Sequence, residues 1–283
     1  MPTTDKKGAV TATTPHHETG PVLVGYLDTE RGRDALELGR VLAAARAAEL
    51  RVATVPEGEK LAATAREQGA DLVVLGSTHR GPLGRIVPGT TMEHLLAGAP
   101  CAVAVAPPGF AERADGESVW QPLDGGAEDI GMRVVGVGYD GTPAARGALE
   151  LATELAARNG AALRVYTVVR KVVPIVPDAP MTPTPAAPSE LEARREELRE
   201  TVAALPDEVR AQPVLLRGFA VPELAKAAGL GVDLLVVGTH VHGHVGRLFH
   251  KSVAGELALE APCPLLICPT RVGAPLVAAS QGS

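Results

Sequence analysis

GADLVVLGSTHRGPLGR (residues 69–85) and GVDLLVVGTHVHGHVGR (residues 231–247) align without a gap, 162 positions apart. Each has an aspartate as its third residue, continues as an unbroken apolar run and ends in a loop rich in glycine, histidine and hydroxyl groups. Such a run, bounded by turn residues, is the pattern of a strand buried on both faces of a parallel sheet. The same offset of 162 pairs Ala-Pro-Cys at 99–101 with Ala-Pro-Cys at 261–263. Upstream, LRVATV (50–55) matches LRVYTV (163–168) at an offset of 113. Three ordered matches imply a duplicated topology.

The two offsets differ by 49 residues (162 less 113), so the second copy holds a segment that the first lacks, between Val168 and Gly231. That segment reads as a Pro-rich stretch (171–189), a charged helix over roughly 190–205 and a short strand near 213–216. The Pro-rich stretch is a spacer or a lid. The helix LEARREELRE reads as a solvated face with i,i+4 charge pairs. RVVGVGY opens the second copy as a strand. Thr142 and Pro143 then have the chemistry of an N-cap and a first helical residue, and Gly160 stands where a C-terminal cap belongs. LRVYTVV, VDLLVVG and PLLIC follow as strands. The first copy repeats the plan with PVLVGYL, a helix through DALELGRVLAAARAA, LRVATV, DLVVLG and CAVAVA. Strands alternating with helices predict α/β units with parallel sheets. The expected organisation is a shortened domain over 20–107, a linker over 108–131 rich in Gly, Pro and acid, and a complete domain over 132–271.

Composition narrows the function. Of 283 residues 46% are hydrophobic but only 2% aromatic, so the core must be built from Ala, Val and Leu. The formal net charge of -6 and the lack of a basic stripe with interleaved aromatics argue against nucleic-acid binding. No apolar run approaches the ~18 residues of a membrane span, and the polar N-terminus lacks the apolar centre of a signal peptide. Three cysteines without a dense framework suit a reducing cytosol, where Cys263 and Cys268, pointing to opposite faces, act as small buried hydrophobes.

In a doubly wound sheet ligands bind beyond the carboxyl ends of the strands, where the strand order reverses. In the second copy those ends are Tyr139, Asp140, Gly141 and Thr142, and the loop 238–253. Glycines admit close backbone approach, a helix starting near Ser252 offers free N–H groups, and Arg247 and Lys251 add charge. A phosphate cradle and a plain strand-to-helix turn that needs glycine fit these residues equally well. GVGYDG (136–141) matches the dinucleotide pattern, but its first glycines fall inside the strand rather than in the turn the fingerprint requires. His250-Lys251-Ser252 lacks the glycines of a P-loop, since Val245 and His250 stand in their places. His240, His242, His244 and His250 are imidazoles suited to Zn, Ni or Cu, without a Cys or carboxylate placed to complete a closed site; solvated histidines are the better account. No catalytic signature is present, and no nucleophile stands with its base.

Taken together, the motifs resemble those of the universal stress protein family. The resemblance lies in a first strand ending in Asp140-Gly141-Thr142, a later strand followed by Gly238 and a loop ending at Ser252, and the Ala261-to-Pro264 start of the last strand. It covers both copies, and tandem fusions are common in the family. It implies strand order 3-2-1-4-5 in the second copy, no strand 3 in the first, and last strands that pair antiparallel as a pseudo-dimer within the chain, with a homodimer a further option. It also implies ATP or AMP as ligand, with Asp140 at the adenosine end, Val168 at the base, and Tyr139, Gly141, Thr142, Gly238, Thr239, His242, Gly243, Arg247, Lys251, Ser252 and Val253 around the nucleotide. The expected role is a cytoplasmic stress-response protein acting by conformation or partner binding, with at most slow hydrolysis. The alternatives are a nucleotide-free interaction module and a metal-responsive protein using the 240–250 loop. Two positions depart from the family pattern: Val241 and Lys251 replace loop glycines. In the first copy Leu27 stands where Asp140 does, with Asp28 one place late, and His79 replaces a glycine.

Overall fold

The structure is a computed structural model that describes residues 19–54, 57–77, 91–98, 100–115, 132–170, 188–239 and 252–270. In chain order the elements are β1 (Val22–Gly25), α1 (Glu30–Arg46), β2 (Leu50–Ala53), α2 (Gly58–Glu67), β3 (Leu72–Gly76), α3 (Thr91–Gly98), β4 (Ala102–Ala106), α4 (Phe110–Asp115), β5 (Val134–Gly138), α5 (Pro143–Arg158), β6 (Ala162–Val169), α6 (Pro188–Ala203), β7 (Arg210–Arg217), α7 (Ala220–Ala228), β8 (Leu234–Thr239), α8 (Val253–Glu260) and β9 (Leu265–Pro269). The strands form one sheet in the order β2-β1-β3-β4-β9-β8-β5-β6-β7.

Within the second copy this is strand order 3-2-1-4-5, all parallel. The first copy follows the same order without its third strand. The extra segment of copy two forms α6 and β7, as its charge pattern and apolar run predict. The copies meet at β4 and β9, which pair antiparallel with Val103 opposite Ile267 and Val105 opposite Leu265. This pairing gives each last strand a partner and removes two sheet edges.

The short, aromatic-poor side chains let helices lie close on both faces. One face buries Leu38 and Leu42 of α1, Phe110 of α4, Ala148 and Leu155 of α5 and Leu198 of α6 against Val22, Val24, Val135, Val137 and Leu266. The other buries Leu61 of α2, Leu95 of α3, Leu224 of α7 and Leu257 of α8 against Leu23, Val73, Val103, Leu235 and Ile267. Both layers run across the seam. Arg158 at the end of α5 donates to the carbonyl of Arg46 (3.0 Å), and Asn159 donates to the carbonyl of Ala45 (3.1 Å), so the last turns of α1 and α5 also bond to each other. Cys268 joins the first layer and Cys263 the second, on opposite faces as expected, although Cys263 lies just before the strand rather than on it. Burial pushes the Cys263 thiol up to about 12, which makes it inert.

Three aspartates, Asp34 and Asp233 buried and Asp71 partly exposed, serve as latches. Asp233 accepts the backbone N–H groups of Arg133 and Val134, both at 2.8 Å, and Asp71, its counterpart in copy one, accepts that of Gly20 at 2.6 Å. Each aspartate ties the start of strand 1 to the start of strand 4 in its copy. Buried Asp34 on α1 accepts the N–H groups of Gly109 (3.1 Å) and Ala111 (2.9 Å), capping α4 from 75 residues away. The stretch after Pro107, expected to be a plain linker, therefore begins with a helix held against copy one.

Burial pushes the Asp233 carboxyl above its ordinary range, against the lowering effect of its two backbone donors. Folding thus favours the protonated form. Its contribution is full below the unfolded-state pKa and is lost as pH rises through the raised folded value. Asp233→Asn keeps an acceptor oxygen without the charge. Denaturation midpoints measured from about pH 4 to pH 8 should move in the variant's favour as pH rises. A pH-independent difference between the two proteins would count against this account.

Candidate functional site

At β5 the sheet reverses direction of winding: α5 leaves for one face, while α7 and α8 cover the other. Tyr139 continues the ladder by donating its N–H to the carbonyl of Tyr166, and the Thr167 hydroxyl donates to the Tyr139 carbonyl at 2.9 Å. The β5–β6 register ends with Gly138 opposite Tyr166, and Asp140 follows two residues past the end of β5, on the side where β6 continues through Val168. Its Oδ1 accepts the Thr142 N–H at 3.0 Å and the Thr142 hydroxyl at 2.6 Å. Gly141 between them has φ +79°, a left-handed conformation that a side chain would strain. Thr142 caps α5 by accepting the N–H of Ala145 at 3.2 Å. Asp140 is exposed, and its Oδ2 accepts no hydrogen bond among the described residues.

On the other side of β5, β8 ends at Gly238 and Thr239. Thr239 is buried and its carbonyl accepts both the N–H (3.0 Å) and the hydroxyl (3.2 Å) of Thr270. Ser252 caps α8 through the N–H of Gly255 at 3.1 Å. The first N–H groups of a helix have no partner within it, and the cap satisfies one of them, which leaves those of Val253 and Ala254 to point out of the helix. The structure therefore brings Tyr139, Asp140, Gly141, Thr142 and Val168 together on the ends of β5 and β6, and sets Gly238 and Thr239 on the neighbouring strand. His242, Gly243, Arg247 and Lys251 lie outside the described residues, as do His240, Val241, His244 and His250.

Two features of this edge escape sequence reading. The first is the role of the strand-end glycine. A Cβ on Gly238 would lie 2.4 Å from the backbone C and O of Ala144, and one on Gly76 would lie 2.2 Å from the carbonyl O of Arg31. In both copies the glycine admits the first turn of the helix that follows the first strand, α1 or α5, a packing need that exists whether or not a ligand is present. The second is α6. Its Glu197 Oε1 stands 3.5 Å from where a Gly141 Cβ would be, held by Arg194 at 2.8 Å, and Arg146 donates to the Gly141 carbonyl at 2.8 Å. The charge pairs on α6 are spaced i,i+3, not the i,i+4 its pattern suggested.

The corresponding turn of copy one is built differently. Asp28 takes the place of Gly141 and keeps an ordinary negative φ. The chain compensates by folding the Leu27 carbonyl onto α1, where it accepts the Thr29 N–H at 2.8 Å. A Cβ on Gly32 would come within 1.7 Å of that carbonyl oxygen. The glycine has in effect moved from the turn to the helix, and the Asx turn at the mouth of copy two has no counterpart here.

A sequence profile described as "Universal stress protein family" matches residues 21–107 and 132–269. A universal stress protein of Mycobacterium tuberculosis is 27% identical over 209 residues, which are 72% of this chain and 65% of the relative; the chain thus spans just under two thirds of that protein. A universal stress protein of Thermus aquaticus is 36% identical over 139 residues, 48% of this chain and 98% of the relative. Among solved structures, a universal stress protein from Archaeoglobus fulgidus superposes with a TM-score of 0.56 at 13% identity, covering 89% of this chain and 97% of the other, a likeness of fold.

Proposed function

Since the chain belongs to the universal stress protein family, we propose that its second copy binds an adenine nucleotide, ATP or AMP, at the carboxyl ends of β5 and β8. The observation that carries this reading is the contrast between the two turns. Copy two keeps an exposed Asp140, one of whose carboxylate oxygens has no hydrogen bond among the described residues, beside a left-handed Gly141, while copy one has rebuilt the same turn around Leu27 and Gly32. Asp140 would take the adenosine end beside Val168, with Tyr139, Gly141, Thr142 and Thr239 around it. The N–H groups at the start of α8 would meet phosphate. His242, Gly243, Arg247 and Lys251 would complete the loop. Binding would act in the cytoplasm by changing the surface offered to a partner, with at most slow hydrolysis.

The test is direct. Nucleotide released from the denatured, freshly purified protein is identified, and ATP and AMP are titrated calorimetrically into the stripped protein. Asp140→Ala removes a charged acceptor and should weaken binding about ten- to hundredfold. Unchanged affinity would sink the copy-two assignment, and absence of both nucleotide and heat would leave the second reading, a nucleotide-free interaction module. That reading draws support from the same edge, where the hydroxyls of Thr142 and Ser252 are already engaged as helix caps and Gly238 as a packing glycine.

A further inference from the structure

The sheet has two ends, and they are treated differently. β7 carries Pro213, which cannot donate to an added strand, and charged ends at Arg210 and Arg217. These are the devices by which an edge refuses a partner. β2, at the other end, has no proline; it is four residues long and carries one charge, on Arg51.

The repeat shows what is missing there. Val52 aligns with Val165. In copy two Val165 is fully buried, with β7 paired against β6 on its outer side and α6 packed over both. In copy one α6 and β7 have no counterpart, and Val52 is 52% exposed on the same face of the sheet. Leu50 and Ala48 lie beside it on that face, partly buried against the core. On the opposite face Glu49 and Arg51 stand two residues apart, bonded to each other at 2.6 Å; Glu49 is exposed, while Arg51 is half-buried and also donates to the Gln68 carbonyl at 3.2 Å.

The geometry points to a second copy of this chain as the occupant of this edge. With a two-fold axis at Leu50, an antiparallel pairing of two β2 edges sets Leu50 against Leu50, Val52 against Ala48, and Glu49 against Arg51 twice. One face of the junction is then wholly apolar, and the other holds two cross-strand ion pairs of opposite sign. Isologous contacts require this kind of self-complementarity, and the patch supplies it from a single stretch of five residues. The chain already joins two sheet edges in the antiparallel sense at β4 and β9. The proposed junction would repeat that solution between molecules at β2, which among the described residues has no strand on its outer side. The pairing is short, so the dimer is expected to be a reversible one that forms in the micromolar range or above.

Sedimentation velocity of the full chain over a concentration series tests this. Wild type is expected to shift from monomer to dimer as concentration rises. Val52→Lys, which projects from an exposed site, should weaken association by about tenfold or more. Glu49→Arg and Arg51→Glu should each weaken it through like charges set opposite one another. The double variant Glu49→Arg with Arg51→Glu should restore it, because the swapped patch is again self-complementary. Circular dichroism and thermal midpoints establish that each variant is folded. A wild type that stays monomeric throughout overturns the proposal. So does a dimer indifferent to Val52→Lys, or a charge-swapped double variant no better than the single ones.

Discussion

Gly238→Ala is expected to destabilise the protein by about 2–3 kcal/mol, although it adds a single methyl group at a position that sequence reading assigns to the ligand. The reason is that the new Cβ would sit 2.4 Å from the backbone carbon and oxygen of Ala144 and 2.7 Å from the nitrogen of Ala145. Those atoms belong to the first turn of α5, and a helix cannot yield there without lifting Ala145, Ala148 and Leu149 off the sheet. Two other glycines of the same region calibrate the effect. Gly141→Ala meets only the tip of Glu197 and should cost about 1–2 kcal/mol through its left-handed backbone. Gly147 lies mid-helix in α5 with open space around it, so Gly147→Ala should stabilise by up to ~1 kcal/mol. Urea denaturation of the three variants measures the order. If Gly238→Ala kept full stability and lost only nucleotide affinity, the glycine would serve the ligand and the packing argument would fail.

That example marks the boundary of what the sequence makes legible. Local chemistry reads well. Thr142 before Pro143 and Ser252 before α8 cap their helices, and the apolar runs are strands. The arithmetic of the two offsets locates α6 and β7 and accounts for the missing strand of copy one. The order 3-2-1-4-5 and the antiparallel seam came from family resemblance, because no periodicity within a strand says which neighbour it takes.

Contacts between distant segments are the part that was not legible. Asp71 and Asp233 look like ordinary turn residues before a strand; only the fold places them against backbone donors 51 and 99 or more residues away. Asp34 looks like one more charged residue along α1, yet its partners are at Gly109 and Ala111. The site shows the same division. Asp140, Gly141 and Thr142 form a local turn, and the sequence nominates them as the end of a strand in a doubly wound sheet and by resemblance to the family's Asp-Gly-Ser/Thr turn. Glu197 and Arg194 reach the turn from a helix more than fifty residues on, and their charge pattern alone marks them as a solvated face. Gly32 is the most instructive case, since its meaning depends on Leu27 and Asp28 having replaced the Asp-Gly pair of the other copy.

Ile267→Asp is expected to have the largest effect of any single change argued here, on the order of 4 kcal/mol or more, and to weaken both copies together. Ile267 is fully buried on β9, opposite Val103 of β4, and neither face of the seam offers its carboxylate a cation among the described neighbours in that layer. The shared loss follows from continuity. The two apolar layers that hold Val22, Val24 and Leu23 in copy one are the same layers that hold Val135, Val137 and Leu235 in copy two, and the seam lies in the middle of both. Arg158 and Asn159 add bonds between the ends of α1 and α5, which would be lost if the halves separated. Ile267→Val, by contrast, removes one methylene and should cost only about 0.5–1.5 kcal/mol. Hydrogen exchange resolved by peptide distinguishes the two architectures that a melting curve would merge. If the chain folds as one unit, protection in β1 and β3 falls by the same factor as protection in β5 and β8. If exchange rises only in copy two while β1 and β3 keep their protection, the seam joins two independent folding units, and the continuous sheet is a matter of docking rather than of shared stability.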